Sequence, residues 1–410
     1  MIVMKILMLG WELPPHNSGG LGVACMNLSR ALSNEGVDID FIVPYEANHP
    51  DASFTIHSAL EIEPLHRYGL SAYNTGDIDL EIIPDLKDDS KMSIRSIQKQ
   101  YCKFIDEYLK QNELPDAIHA HDWLTFEAGL LAQKKFGIPF IAHVHATEYD
   151  RSGMNGGNPL IHEIEREALT SADRVIAVSG TTKNIIHEKY NIPLEKIDIL
   201  YNSLDEDFLN KPYNFLFDNY KYINQLKKKG YTVVSTVGRF TIQKGLTHMM
   251  SAAARAINKN KKLLFIFAGD GEERNQLISL AAKLGISKNV FFTGFVRGKK
   301  LRDIYELSDI FVMSSVSEPF GLTALEAAHH NNAIILTKQS GVSEVLRSAI
   351  CYDFWDEEKL ANAIVSVASD KTLRATLKNN LNEEYGKLSW DKVAKKCIDI
   401  YSKTKKTKKG

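Results

Sequence analysis

The chain reads as an α/β protein built from two doubly wound, Rossmann-like domains facing a cleft. Three observations carry this. Short apolar runs rich in β-branched residues alternate with stretches of helical spacing along most of the 410 residues. A strand pattern at 4–9 feeds a glycine-rich loop, a helix and a second strand pattern at Ile39 to Val43. A second series of the same kind begins at Thr232–Val237. Ligands of such folds bind outside the carboxyl ends of the strands, and between paired domains.

In the first series, the polar loop Pro14-Pro15-His16-Asn17-Ser18-Gly19-Gly20-Leu21-Gly22 follows the first strand. Val23 to Asn34 has helical spacing, with Ala24, Leu28, Ala31 and Leu32 on one side. The loop lacks the G-x-G-x-x-G pattern, so a nicotinamide or flavin site is not supported. Residues 50–90 are less regular, with a strand expected at Ile78 to Ile83. A long amphipathic helix is expected over about 92–111. Strands follow at Ala117–His119, Phe140–His143, Arg174–Val178 and Ile197–Leu200, with helices around 125–135, 160–171 and 180–189.

The second series has strands at 263–268, 289–292, 309–313 and 333–336 after its first, and helices at 244–258, 271–284, 298–306 and 322–331. The end, about 356–402, is helical. These patterns place the first domain at 1–205, a linker at 206–230 and the second domain at 231–387. An amphipathic helix at about 388–402 packs back on the first domain.

Charge narrows the function classes. With 50 Lys and Arg against 51 Asp and Glu, the formal net charge is −1, so nucleic acid is not an expected partner. The basic cluster Lys403 to Lys409 reads as a solvated tail, with weak peripheral contact to an anionic membrane surface as the lesser reading. Cysteines 25, 102, 351 and 397 have no metal-ligand spacing and suit a reducing, cytoplasmic setting. No apolar run approaches the roughly 20 residues that span a bilayer, and Met1 to Gly10 reads as a strand rather than a signal peptide.

The most informative stretch is Ser314 to Glu326. A buried-strand pattern runs into a serine-rich loop, and Pro319 and Gly321 shape a tight entry to a helix near Leu322. Unpaired N–H groups at such a helix start form a seat for an anion. Two carboxylates, Glu318 and Glu326, flank it. They would repel a phosphate, but are strong acceptors for hydroxyls of a sugar and a ribose. At the end of the strand 232–237, Arg239 and Lys244 stand five apart across a strand-to-helix turn. Fork and point charge can converge there on one diphosphate. As mere surface cations they would be misplaced at a helix start.

Gly269-Asp270-Gly271 either lets a base or phosphate approach the backbone or is an ordinary turn. Gln339-Ser340-Gly341 again offers amides near a helix start. His119-Ala120-His121-Asp122 and His143-Val144-His145 end two strands of the first domain. They are read as substrate contacts rather than a metal site, since one member of each i,i+2 pair can face a packed helix. Asp-Ile-Asp at 38–40 and 77–79 reads as solvated strand ends, not as a divalent-metal motif.

With these residues in order, the chain resembles a retaining glycosyltransferase of the GT-B fold, close to family 4 and its glycogen-synthase relatives. The resemblance rests on Ser18-Gly19-Gly20-Leu21-Gly22, His119-Ala120-His121-Asp122-Trp123, His145, Ser179, Val237-Gly238-Arg239-Phe240 with Lys244-Gly245, Gly269-Asp270-Gly271, and Glu318 with Glu326. It implies a nucleotide-sugar donor (a UDP-, ADP- or GDP-hexose) bound by the second domain, and a glycan or other hydroxyl acceptor on the side of the first. Arg239 and Lys244 would bind the diphosphate, Glu318 the sugar hydroxyls and Glu326 the ribose. Gly19, Gly20, Gly269, Phe320, Gly321 and Leu322 would line the donor. His145 would lie by the anomeric carbon, with His121 and Asp122 on the acceptor or sugar side. Catalytic roles fall to Glu318, His145, Lys244 and Arg239, with no metal and no cofactor.

Two positions depart from the glycogen-synthase pattern. Asn17-Ser18 replaces a lysine before the Gly-Gly, and Gln339-Ser340-Gly341 replaces Thr-Gly-Gly. The leading expectation is transfer of glucose to an α-glucan. The alternatives are a glucosyl- or mannosyltransferase of cell-surface polysaccharide or glycolipid synthesis, and a sugar-nucleotide epimerase on the same fold.

Overall fold

The computed structural model describes residues 4–17, 19–68, 78–79, 83–84, 91–204 and 220–407. It divides into two compact units. One holds Met1–Arg151, Asn155–Asp205 and Ser389–Gly410; the other holds Ser152–Met154 and Glu206–Leu388. Of the expected linker, 206–219 lies outside the described residues, as does residue 205 before it.

The first unit contains β1 (Lys5–Leu9), α1 (Gly20–Asn34), β2 (Asp38–Val43), β3 (Thr55–Ser58), β4 (Ile83–Pro84), β5 (Lys91–Met92), α2 (Ile94–Gln111), β6 (Ala117–His121), α3 (Trp123–Phe136), β7 (Phe140–Val144), α4 (Glu148–Arg151), α5 (Pro159–Ser171), β8 (Arg174–Ala177), α6 (Gly180–Tyr190) and β9 (Ile197–Ile199). Seven strands form one parallel sheet in the order β3-β2-β1-β6-β7-β8-β9. The central strands are buried on both faces, which explains their continuous apolar runs. The order reverses between β1 and β6, so the loops after those strands flank the switch point.

Helix α2 shows how the sequence fixes an element. Ser93 accepts from the Ser96 amide at 3.2 Å, and Ser96 returns the bond to the Ser93 amide at 2.8 Å. Ile94, Ile97, Tyr101, Ile105 and Leu109 then recur at three or four residues and are buried. Tyr101 donates its hydroxyl to the Ile42 carbonyl at 2.8 Å.

The second unit contains α7 (Lys221–Lys228), β10 (Thr232–Val237), α8 (Leu246–Lys259), β11 (Leu263–Ala268), α9 (Arg274–Lys283), β12 (Val290–Gly294), α10 (Gly298–Leu307), β13 (Ile310–Met313), α11 (Leu322–His329), β14 (Ala333–Thr337), β15 (Ile350–Tyr352), α12 (Glu357–Ser369) and α13 (Lys371–Tyr385). Its parallel sheet runs β12-β11-β10-β13-β14-β15, with the reversal between β10 and β13. The last helix, α14 (Trp390–Thr407), belongs to the first unit and packs on α1. It buries Trp390, Val393, Ala394, Cys397, Ile400 and Tyr401. Each fully buried large side chain contributes roughly 1.5–3 kcal/mol.

Three expectations fail locally. Ile78 and Asp79 form a turn rather than a strand, residues 80–82 lie outside the described set, and Ile83–Pro84 pairs antiparallel with Lys91–Met92. The edge strand β3 was not expected, because Thr-Ile-His-Ser is short and half exposed. Asp38 is exposed, but Asp40 is buried rather than solvated. It lies 3.4 Å from Lys5 Nζ and accepts from His57 Nε2 at 2.9 Å.

Candidate functional site

In the second unit, the loops after β10 and β13 flank the switch point, and the sequence has placed Lys244 in one and Glu318 in the other. Their side chains meet. Lys244 Nζ donates to Glu318 Oε2 at 2.6 Å, and Ser315 Oγ donates to the same oxygen at 2.9 Å. Both partners are largely buried.

The backbone holds this pair. Ser314 Oγ donates to the Lys244 carbonyl at 2.9 Å, and the Val316 amide to the Gln243 carbonyl at 2.8 Å. Gly245 allows the approach. It has φ +57°, and a Cβ there would lie 2.3 Å from the Ser314 carbonyl oxygen. On the far side, the Glu318 amide donates to Gln339 O at 3.0 Å. The Gly341 amide donates to Glu318 O at 2.8 Å and that of Val342 to Phe320 O at 2.7 Å. The loop 339–342 therefore braces the helix entry. Gly321, at φ +113°, is the N-cap of α11, and no side chain caps that end. The first amides of α11, from Leu322 onward, thus lack a side-chain acceptor.

Glu326, on α11, accepts from the buried Tyr305 hydroxyl at 2.7 Å. Thr236, Val237, Gly238, Lys244, Leu246, Met313, Ser314, Ser315 and Glu318 line one small pocket. Arg239 stands just past the end of β10, half-buried, with its carbonyl accepting from the Thr241 amide at 3.1 Å. Gly269 donates its amide to Gly294 O at 3.0 Å, and the Gly238 amide donates to Ala268 O at 3.0 Å. Those bonds hold the Gly269 turn against the end of β10.

In the first unit, Gly19 is the extended N-cap of α1, Gly20 is its first residue, and no side chain caps this helix either. Across the switch point, Asp122 follows β6. Its Oδ1 accepts from the His145 amide at 2.6 Å and the Ala146 amide at 3.3 Å. Burial pushes the Asp122 carboxyl up to about 6, opposed by Arg151 and these two amides. Arg151 is buried with three carboxylates, Asp122 at 3.8 Å, Glu148 at 3.2 Å and Glu165. Its Nη1 also donates to the Ala146 carbonyl at 2.8 Å. This network fixes the turn that carries His145.

The histidines depart from expectation. Neither member of a pair is turned away to a separate environment, because i and i+2 on a strand share a face. All four are buried and stacked together. His119 Nε2 and His143 Nδ1 are 3.0 Å apart, and His121 Nδ1 and His145 Nε2 are 2.9 Å apart. Tyr401 of α14 closes the stack, with its hydroxyl 2.6 Å from His119 Nδ1.

Comparison with known proteins matches this architecture end to end. The Glycosyltransferase Family 4 model matches residues 18–208, and that for Glycosyl transferases group 1 matches residues 219–384. The chain belongs to the GT-B glycosyltransferases, close to family 4. It is 28% identical to an uncharacterised glycosyltransferase of Methanocaldococcus jannaschii, over 97% of this chain and 98% of that one. It is 25% identical to a glycogen synthase of Mycobacterium tuberculosis, over 98% and 95%. Among solved structures, sucrose-phosphate synthase from Thermosynechococcus elongatus superposes with TM-score 0.76 at 18% identity, covering 98% of both chains. An Anabaena protein solved with UDP-glucose gives 0.71 at 18% identity, covering 98% of this chain and all of that one. No described helix is long and apolar enough to cross a membrane.

Sequence reasoning missed three side chains in this glycosyltransferase. Ser315 holds Glu318, Tyr305 holds Glu326, and Arg151 organises the His145 turn. Ser315 was visible as part of a serine run. Tyr305 and Arg151 had no signal, since each acts through packing from a neighbouring helix.

Proposed function

We propose that this glycosyltransferase moves a hexose from a nucleotide-diphosphate sugar to a hydroxyl acceptor with retention of configuration. Arg239 and Lys244 receive the donor diphosphate, and the backbone amides of Gly19, Gly20 and the Phe320–Leu322 helix entry supply further donors. Gly269 lets the donor approach the backbone. Glu318 orients sugar hydroxyls, Glu326 clamps the ribose, and His145 acts at the donor sugar with His121 and Asp122 beside it. The bond from the anomeric carbon to the diphosphate breaks while the acceptor oxygen bonds to the same face. The acceptor proton passes to a diphosphate oxygen. The cations stabilise the leaving group, so neither a cofactor nor a metal at the diphosphate is required.

The observation that carries the reading is the occupation of both donor-side carboxylates. Glu318 is tied to Lys244 and Ser315, and Glu326 to Tyr305. Groups committed to cations and hydroxyls suit substrate orientation better than covalent attack, so the two-carboxylate chemistry of glycosidases does not fit. The solved neighbour with UDP-glucose and the glycogen synthase relative support a nucleotide-sugar donor, with glucose and an α-glucan as the first sugar and acceptor to test. Free thiols at all four cysteines suit a cytoplasmic reaction.

A thermal-shift screen of UDP, ADP and GDP sugars, followed by mass analysis of products, tests it. Free nucleoside diphosphate formed only when acceptor is present supports transfer. A changed sugar still attached to the nucleotide means epimerisation and overturns it.

A further inference from the structure

The transfer reading leaves two members of the buried histidine stack, His119 and His143, without a role. Four imidazoles in a protein core form an expensive cluster unless their nitrogens are satisfied. Two are not: Nε2 of His121 and Nε2 of His143 are fully buried and have no hydrogen-bond partner. Ligand atoms of His119, His121 and His143 lie within 4.8 Å of one another, and those of Cys25, His121 and His145 form a second such group. His119 Nε2 and His143 Nδ1, 3.0 Å apart, approach the separation of about 3.3 Å between ligands of a tetrahedral ion with bonds near 2.0 Å.

We propose that His119, His121 and His143 form a buried site for one divalent transition ion of the zinc class. Two further features fit. Tyr401 hydrogen-bonds His119 through Nδ1, as an outer partner orients a metal-bound histidine. Asp122 is buried beside the stack with its Oδ1 on the His145 amide at 2.6 Å, which brings a carboxylate close to where a buried dication would sit. With the ion on His121 Nε2, the His121 Nδ1 proton points at His145 Nε2 and fixes the tautomer of that residue. Only this last step rests on the transfer reading. The ion binds in the core of the first unit and is loaded during folding.

The test uses untagged full-length protein grown with added zinc and purified without chelator. We expect about one zinc per chain by elemental analysis, and a melting temperature that falls when the protein is refolded with chelator and recovers with zinc. His121→Ala and His143→Ala should each lower metal content to about a tenth, while Cys25→Ser keeps it. Cobalt reloaded into the wild type should give tetrahedral d–d bands without a thiolate charge-transfer band. Folded wild-type protein with no metal above background and no response to zinc or chelator overturns the proposal. So does a cobalt–thiolate band that disappears in Cys25→Ser. The wild-type measurements stand even if a histidine variant does not fold.

Discussion

Lys244 Nζ and Glu318 Oε2, 74 positions apart in the chain, meet at 2.6 Å across the strand switch of the second unit. This pairing answers why a carboxylate can stand beside an anion seat. The lysine neutralises it, so in the proposed donor site Glu318 adds an acceptor without adding net charge to the seat.

The first prediction concerns turnover. Lys244→Ala and Glu318→Ala should each lower kcat by about 10²-fold or more, the size expected for lost transition-state charge stabilisation. Steady-state rates with saturating donor check this, and wild-type turnover in Lys244→Ala sinks the assignment.

The second concerns Tyr305. Tyr305→Phe removes one hydrogen bond to Glu326, worth about 1 kcal/mol, and should raise the donor KM about fivefold while kcat stays within about twofold. A fall in kcat with an unchanged KM would assign Tyr305 to something other than holding the ribose clamp.

The third concerns Gly245. Gly245→Ala places a methyl 2.3 Å from the Ser314 carbonyl oxygen at φ +57°. A strained backbone of this kind costs about 1–3 kcal/mol, which should lower the melting temperature by several degrees. Calorimetry of the variant reads this directly.

The fourth follows Asp40. Burial pushes its carboxyl up, but hydrogen bonds from His57 and Tyr108 and the charges of His57 and Lys5 outweigh that and hold it below the ordinary 3.8. A depressed carboxyl stabilises the fold above its unfolded value, and that stability is lost as pH falls through the folded value. Asp40→Asn should therefore destabilise by on the order of 1 kcal/mol near pH 7, and the gap to wild type should close as pH drops below 3.8. Chemical denaturation at several pH values tests the sign.

What the sequence made legible depended on how local the cause was. Both sheets were legible because strand-helix alternation is written in each short segment. Arg239, Lys244, Glu318 and Glu326 were legible because each sits at a strand end or a helix start of distinctive composition. The contact between Lys244 and Glu318 was not, since Gly245 and Ser314 bring those loops together only after the sheet has formed. The strand period alone requires His119 and His121 to share a face. That they would stack with His143 and His145 beneath Tyr401, 282 positions from His119, depended on the docking of α14. The strand expected at 78–83 differs because Ile78–Asp79 form a turn, and of that stretch Ile83 pairs, antiparallel, with Met92.

The most direct measurement is calorimetric titration of nucleoside diphosphate into wild type, Lys244→Met and Glu318→Gln. If Lys244 receives the diphosphate, Lys244→Met should weaken binding about tenfold or more, equivalent to at least about 1.4 kcal/mol, while Glu318→Gln binds as well as wild type or tighter. Equal affinity in wild type and Lys244→Met would contradict the account.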